Sequence, residues 1–149
     1  MAEEAEACLR YFQMRYRLSE RDRTVAASLF DDAIKETLEH AAAIAEHIKA
    51  LGHVPTLRVH LALGEGPTRL ETALAEALDV EQQALDAYTD LLPRVSGDPG
   101  LDAFVRRQIE VETEHVTEMR AFADAHATVK LVPRKSAAPR RRRSTRPGR

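Results

Sequence analysis

The sequence predicts an all-α chain, a four-helix bundle with a long crossover between its second and third helices. Three observations lead there. Alanine, leucine, glutamate and arginine dominate, and all four favour helix. No stretch sustains the apolar/polar alternation of a half-buried strand. Apolar residues recur at helical spacing in four long segments, and a stretch without that period separates the second from the third. At 149 residues one domain is the expectation, and that length buries a core without covalent staples.

The first helix is expected over Ala2 to Arg17, with Ala7, Cys8, Tyr11, Met14 and Leu18 along one stripe. The polar run Ser19 to Arg23 breaks that stripe. The second helix is expected from Thr24 to Leu51, with Leu29, Ala33, Thr37, His40, Ile44, Ile48 and Leu51 in register, ending at Gly52. "GHVPTLRVHLALGEGP" follows and is long enough to cross the bundle. Pro67 and Thr68 open the third helix, which carries Leu70, Leu74, Ala77, Leu78, Ala84, Leu85, Tyr88 and Leu92 and ends near Pro93. "SGDPG" reads as a turn. The fourth helix runs from Leu101 to Ala125, with Phe104, Val105, Ile109, Val116, Met119, Phe122 and Ala123 inward. The domain is thus 1–127, and 128–149 reads as a disordered basic tail of Pro, Ser and Arg.

Composition excludes several classes. One cysteine, Cys8, allows no internal disulfide and no cysteine zinc motif. No apolar run approaches the ~20 residues of a membrane span, and "MAEEAEACLR" lacks a signal-peptide core. A cytoplasmic protein with no membrane partner is expected. The formal net charge of −2 hides an asymmetry. Residues 130–149 hold nine Lys/Arg and no Asp/Glu, which leaves 13 basic against 24 acidic residues elsewhere, a net of −11.

Carboxylates occupy positions where leucine belongs. The inward stripe of the fourth helix steps 105, 109, 112, 116, 119, so Glu112 takes a core step, with His115 beside it on the same face. On the third helix the stripe 74, 78, 81, 85, 88 contains Glu81. On the first, Glu4 lies on the line of Ala7, Cys8 and Tyr11. On the second, His40 lies between Ala33 and Ile44. A lone buried carboxylate is costly; three glutamates and two histidines on inward lines of four helices call for bound cations. Oxygen and imidazole ligands suit iron or manganese. There is also an internal echo. "EAEACLRY" and "EQQALDAY" both read E-x-x-A-x-x-x-Y, through Glu4, Ala7, Tyr11 and Glu81, Ala84, Tyr88. The first and third helices look like equivalent halves of a pseudo-symmetric bundle.

This combination resembles the ferritin-like superfamily, and within it bacterioferritin, over residues 2–125. That family takes one Glu from each of two helices and Glu-x-x-His from each of the other two. "EHAAAIAEHIKALGHVP" is similar to its second helix and exit turn, and the long crossover also fits. The resemblance implies a di-iron site with Glu4 and Glu81 as terminal carboxylates, Glu112 as a bridge, and His115 and His40 as the imidazole ligands.

The chain departs from that pattern in three places. Thr37 stands where the second bridging carboxylate belongs. Glu36, one turn before His40 and about 40° around the helix, is the candidate replacement; Glu39 is about 100° away and faces solvent. Leu38 stands where bacterioferritin has its haem-ligating methionine, so haem is not expected. Only three residues precede Glu4, and chain ends fray, so a ligand there is expected to be loosely held. His47, His53, His60 and His126 do not form a ligand set. Glu110, Glu114 and Glu118 read as an outer face, and Arg15, near the inward stripe, has no evident role.

The implied activity is ferrous iron binding and oxidation by O2 or H2O2 at an intra-bundle di-iron site, with Glu4, His40, Glu81, Glu112 and His115 carrying it, in a homo-oligomer. Two alternatives stand beside it. One is a di-iron oxidase or peroxidase acting on another substrate, which needs a pocket. The other is a scaffold with a degraded metal site whose Arg-rich tail contacts nucleic-acid phosphates without sequence preference.

Overall fold

The structure, a computed structural model, describes residues 1–128. Five helices follow in order: α1 Ala2–Arg17, α2 Glu20–Val25, α3 Ala27–Ala50, α4 Leu70–Val95 and α5 Pro99–Thr128. Of these, α1, α3, α4 and α5 are the four bundle helices. α1 packs chiefly on α3 and α4 on α5, and α1 also meets α4. Tyr11 lies against Glu81 and Tyr88 against Glu4, so α1 and α4 run antiparallel.

The short helix α2 was not expected. The Ser19 hydroxyl accepts from the Asp22 amide at 3.2 Å, and Glu20 and Asp22 sit in the first turn, where the helix dipole favours them. A polar run that breaks the apolar stripe is therefore helical, and the second bundle helix starts at Ala27 rather than Thr24. α3 ends as expected. Gly52 has φ 81, a left-handed conformation that a side chain would strain. Its N–H donates to the Lys49 carbonyl at 2.9 Å and that of His53 to Ile48 at 3.1 Å, the paired bonds of a glycine helix end. Leu51, placed on the inward stripe, is instead the exposed cap.

The crossover runs back along α1. The His60 amide donates to Glu6 at 3.2 Å, and the Gln13 side chain donates to the Gly64 carbonyl at 2.6 Å. Proline tolerance shifts the next two boundaries. α4 continues through Pro93 to Val95, although proline there lacks the N–H that would bond the Thr89 carbonyl. α5 begins inside the expected turn at Pro99. The Asp98 carboxylate accepts from the amides of Gly100 and Leu101 at 2.9 and 3.1 Å, and proline suits the first helical position. Apart from Thr128, whose backbone closes α5, the basic tail lies outside the described residues.

The apolar core occupies one half of the bundle. It joins Tyr11, Met14 and Leu18 of α1, Phe30 and Ala33 of α3, Leu70, Leu74 and Ala77 of α4, and Met119 of α5. Arg15 borders it, and its role is now visible. Its guanidinium grips Asp31 of α3 through two hydrogen bonds of 2.9 and 3.1 Å, tying the two helices together.

Candidate metal centre

The carboxylates foreseen on inward stripes are inward. Glu4, Glu81 and Glu112 are buried, and Glu112 is 1 % exposed. His40 and His115 stack, with ring centroids 5.7 Å apart. The two helix pairs contribute unequally: Glu4 and His40 come from α1 and α3, and Glu81, Glu112 and His115 from α4 and α5.

Two groups of ligand atoms form. One joins Glu4, His40 and Glu112; the other joins Glu81, Glu112 and His115. Within each, the candidate ligand atoms lie within 4.8 Å of one another, and Glu112 is shared. His40 Nδ1 is 3.2 Å from Glu112 Oε1 and 3.8 Å from Glu4 Oε2. His115 Nδ1 is 3.4 Å from Glu112 Oε2 and 3.5 Å from Glu81 Oε2. The two oxygens of Glu112 thus face different histidines, the arrangement a bridging carboxylate requires. Between them lies a cavity of about 20 Å³, room for a water-sized species.

His40 Nδ1 and Glu112 Oε1 are buried without a well-formed hydrogen bond. They are close, but not aligned as donor and acceptor. Native proteins rarely leave such atoms unsatisfied. Two unsatisfied atoms on one candidate ligand set, one a carboxylate oxygen and one an imidazole nitrogen, fit a divalent cation placed between them.

Electrostatics supports the same assignment. Hydrogen bonding to Glu112, and then to Glu81, raises the His115 pKa to about 10. Burial opposes the charge on His40, but Glu112 and Glu4 outweigh it and hold its pKa above the ordinary value. Burial likewise opposes ionisation of Glu112, yet the two histidines overcome it and keep the carboxylate ionised. Glu4 lacks such full compensation; burial raises its pKa even though Tyr88 hydrogen-bonds to it. Without a cation, protons on the two imidazoles supply the positive charge that this carboxylate cluster needs.

The repeated E-x-x-A-x-x-x-Y segments have a reciprocal function. The Tyr11 hydroxyl of α1 donates to Glu81 Oε1 of α4 at 2.5 Å, and the Tyr88 hydroxyl of α4 donates to Glu4 Oε1 of α1 at 2.7 Å. Burial and the nearby carboxylates push both phenol pKa values up, so both remain donors. Each tyrosine thereby orients a candidate ligand on the opposite helix. Glu4 is consequently better held than its position near the chain start suggested: it lies within α1, is buried, and is fixed by Tyr88.

Thr37 is buried on the inward face, but its hydroxyl donates to the Ala33 carbonyl of its own helix at 2.8 Å. Glu36 lines the small cavity and places Oε2 3.3 Å from His115 Nε2. It meets the outer nitrogen of that ring, while Nδ1 faces Glu81 and Glu112. Gln108, overlooked in the sequence, is buried near the Tyr88 hydroxyl. Its position one turn before Glu112 was the available signal. The remaining histidines stay apart from the centre: His47 packs on Phe104, His126 packs on Phe122, and His53 and His60 are exposed.

The ferritin-like domain matches residues 1–127 of this sequence. The chain belongs to the ferritin-like family. A crystal structure of a ferritin-like, diiron-carboxylate protein from Bacillus anthracis shares the fold, with a TM-score of 0.70 at 24 % identity, covering 82 % of this chain and 88 % of that one. No curated protein sequence matches the chain. The ferritin-like bundle described here holds carboxylate and histidine groups suited to metal, and among its described residues no helix is long and apolar enough to cross a membrane.

Proposed function

We propose that this ferritin-like chain binds ferrous iron at the bundle centre and oxidises it with dioxygen or hydrogen peroxide, serving iron storage or detoxification. The shared placement of Glu112 between two Glu/His groups carries this reading, because it provides for two cations side by side. Glu4 and His40 would hold one, and Glu81 and His115 the other. Ferrous iron is the substrate; each ion gives one electron to the oxidant and leaves ferric. The chain supplies charge compensation and fixed spacing. Two divalent cations bring four positive charges, of which Glu4, Glu81 and Glu112 cancel three. Glu36 would supply the fourth negative charge in the place left by Thr37, as a ligand after a rotation or, as now placed, through His115.

Anaerobic ferrous titration followed by oxygen tests this, with Glu112→Ala as control. Binding of about two ions per chain, rapid oxidation, and loss of both in the variant are expected. Oxidation no faster than in the variant would sink the ferroxidase reading. One ion per chain would favour the alternative of a site impaired at Thr37.

Assembly into a homo-oligomer is part of the proposal. Leu9, Phe12 and Tyr16 form an exposed apolar stripe on the outer face of α1, and Leu38 of α3 is also exposed. Leu38 cannot ligate haem as a methionine would. The Arg-rich tail is proposed to contact nucleic-acid phosphates, which a salt-dependent binding assay tests.

A further inference from the structure

The two histidines of the centre are not equally supported. His40 of α3 and His115 of α5 hold equivalent places in the bundle, and each turns Nδ1 toward two carboxylates. Four residues before His115 stands Val111; four residues before His40 stands Glu36. α3 therefore lacks a carboxylate at Thr37, whose hydroxyl turns back to the Ala33 and Ile34 carbonyls at 2.8 and 3.1 Å, and carries one a single position earlier.

Glu36 serves the histidine of the opposite helix pair. Its Oε2 lies 3.3 Å from Nε2 of His115, on α5. Among the described residues, both carboxylate contacts of His40 fall on Nδ1, whereas His115 meets carboxylates at both ring nitrogens. An imidazole that gives Nδ1 to a cation carries its proton on Nε2. A carboxylate that accepts this N–H fixes the tautomer and the ring orientation and makes the imidazole a more basic ligand. Glu36 is placed to be that acceptor. It also sets a negative charge behind the Glu81, Glu112 and His115 group, whose three ligands already come from one helix pair, α4 with α5. The Glu4 and His40 group shares Glu112 and has no such partner behind its imidazole.

We infer that Glu36 is a positioning residue rather than a ligand: it holds His115 with Nδ1 toward the cation, and the Glu81, Glu112 and His115 group therefore takes the first divalent cation. This rests on the reading that cations bind at the bundle centre, and not on their oxidation.

Anaerobic calorimetric titration of the full chain with cobalt(II), which binds without being oxidised, tests this. Two events are expected, of which Glu36→Ala weakens the first by about 10–100-fold and leaves the second as it was. Glu36→Gln should restore much of the loss, because its amide oxygen still accepts from Nε2–H. Glu36 has a side chain 43 % exposed, so both variants should keep wild-type helicity by circular dichroism. With a single zinc(II) ion per chain, nitrogen-15 NMR should show His115 bound through Nδ1 and protonated on Nε2, with His40 still free. Equal losses in Glu36→Gln and Glu36→Ala would make Glu36 a ligand and overturn the inference. So would equal weakening of both events in Glu36→Ala, or zinc(II) reaching His40 first. Absence of ferrous oxidation beside the expected cobalt(II) and zinc(II) results would sink the ferroxidase reading alone; absence of any cobalt(II) binding would sink both.

Discussion

Replacing Tyr11 by phenylalanine removes one oxygen and almost no volume. Tyr11 is fully buried, so water does not take the place of the lost hydroxyl. That hydroxyl donates to Glu81 Oε1 at 2.5 Å, and His115 lies nearest the other oxygen, Oε2. The substitution therefore leaves one oxygen of a buried carboxylate without its donor. A hydrogen bond to a charged group contributes about 1.5–3 kcal/mol. At roughly 2–4 °C per kcal/mol for a chain of this size, a loss of 2 kcal/mol lowers the melting temperature by roughly 4–8 °C. Urea denaturation of the metal-free protein gives the free energy, and thermal melting followed by circular dichroism gives the temperature. Tyr88→Phe should behave similarly, because Tyr88 bonds the separate carboxylate of Glu4 at 2.7 Å. If the two bonds are independent, the double variant is additive within about 0.5 kcal/mol. A Tyr11→Phe loss below about 0.5 kcal/mol would refute the claim that the phenol supports the buried Glu81 side chain.

Three further outcomes are expected. His115 has its pKa raised to about 10 from 6.5, so its contribution to metal-free stability is complete below about pH 6.5 and fades as the pH climbs toward 10. Melting temperatures across that window should fall, and His115→Gln should remove most of the slope; a slope unchanged in the variant contradicts the assignment. Thr37→Glu adds a carboxylate to a buried face and should destabilise the metal-free protein by several kcal/mol, while ferrous iron raises its melting temperature more than that of wild type. An equal iron response in the two proteins would show that position 37 does not face the cations. Arg15→Ala breaks the grip on Asp31, whose side chain is 54 % exposed, so a cost below about 1 kcal/mol is expected in denaturation; a larger loss would mean that Arg15 supports the core by more than this pair.

Helical periodicity exposed the bundle because each long helix buries one continuous face. It exposed Glu81 and Glu112 for the same reason: a carboxylate on a core step stands out against its neighbours. Short-range capping was harder to see. α2 depends on the Ser19 hydroxyl and on charge near a helix start, neither of which makes an apolar stripe. Partners across helices were also hidden. The repeated E-x-x-A-x-x-x-Y segments signalled symmetry, but one sequence could not show that each tyrosine serves the other segment's glutamate. Arg15 remained unexplained because Asp31 lies on a different helix.

The division of the centre between two helix pairs has a consequence for assembly. α4 with α5 contains the whole Glu81, Glu112 and His115 group, but the Glu4 and His40 pair of α1 and α3 closes into a group only with Glu112 of α5. A cation held there is a staple across a seam, and its affinity reports how firmly the seam is shut. Cutting the chain within the crossover, which makes no helix, should yield two fragments that find each other more tightly with ferrous iron than without it.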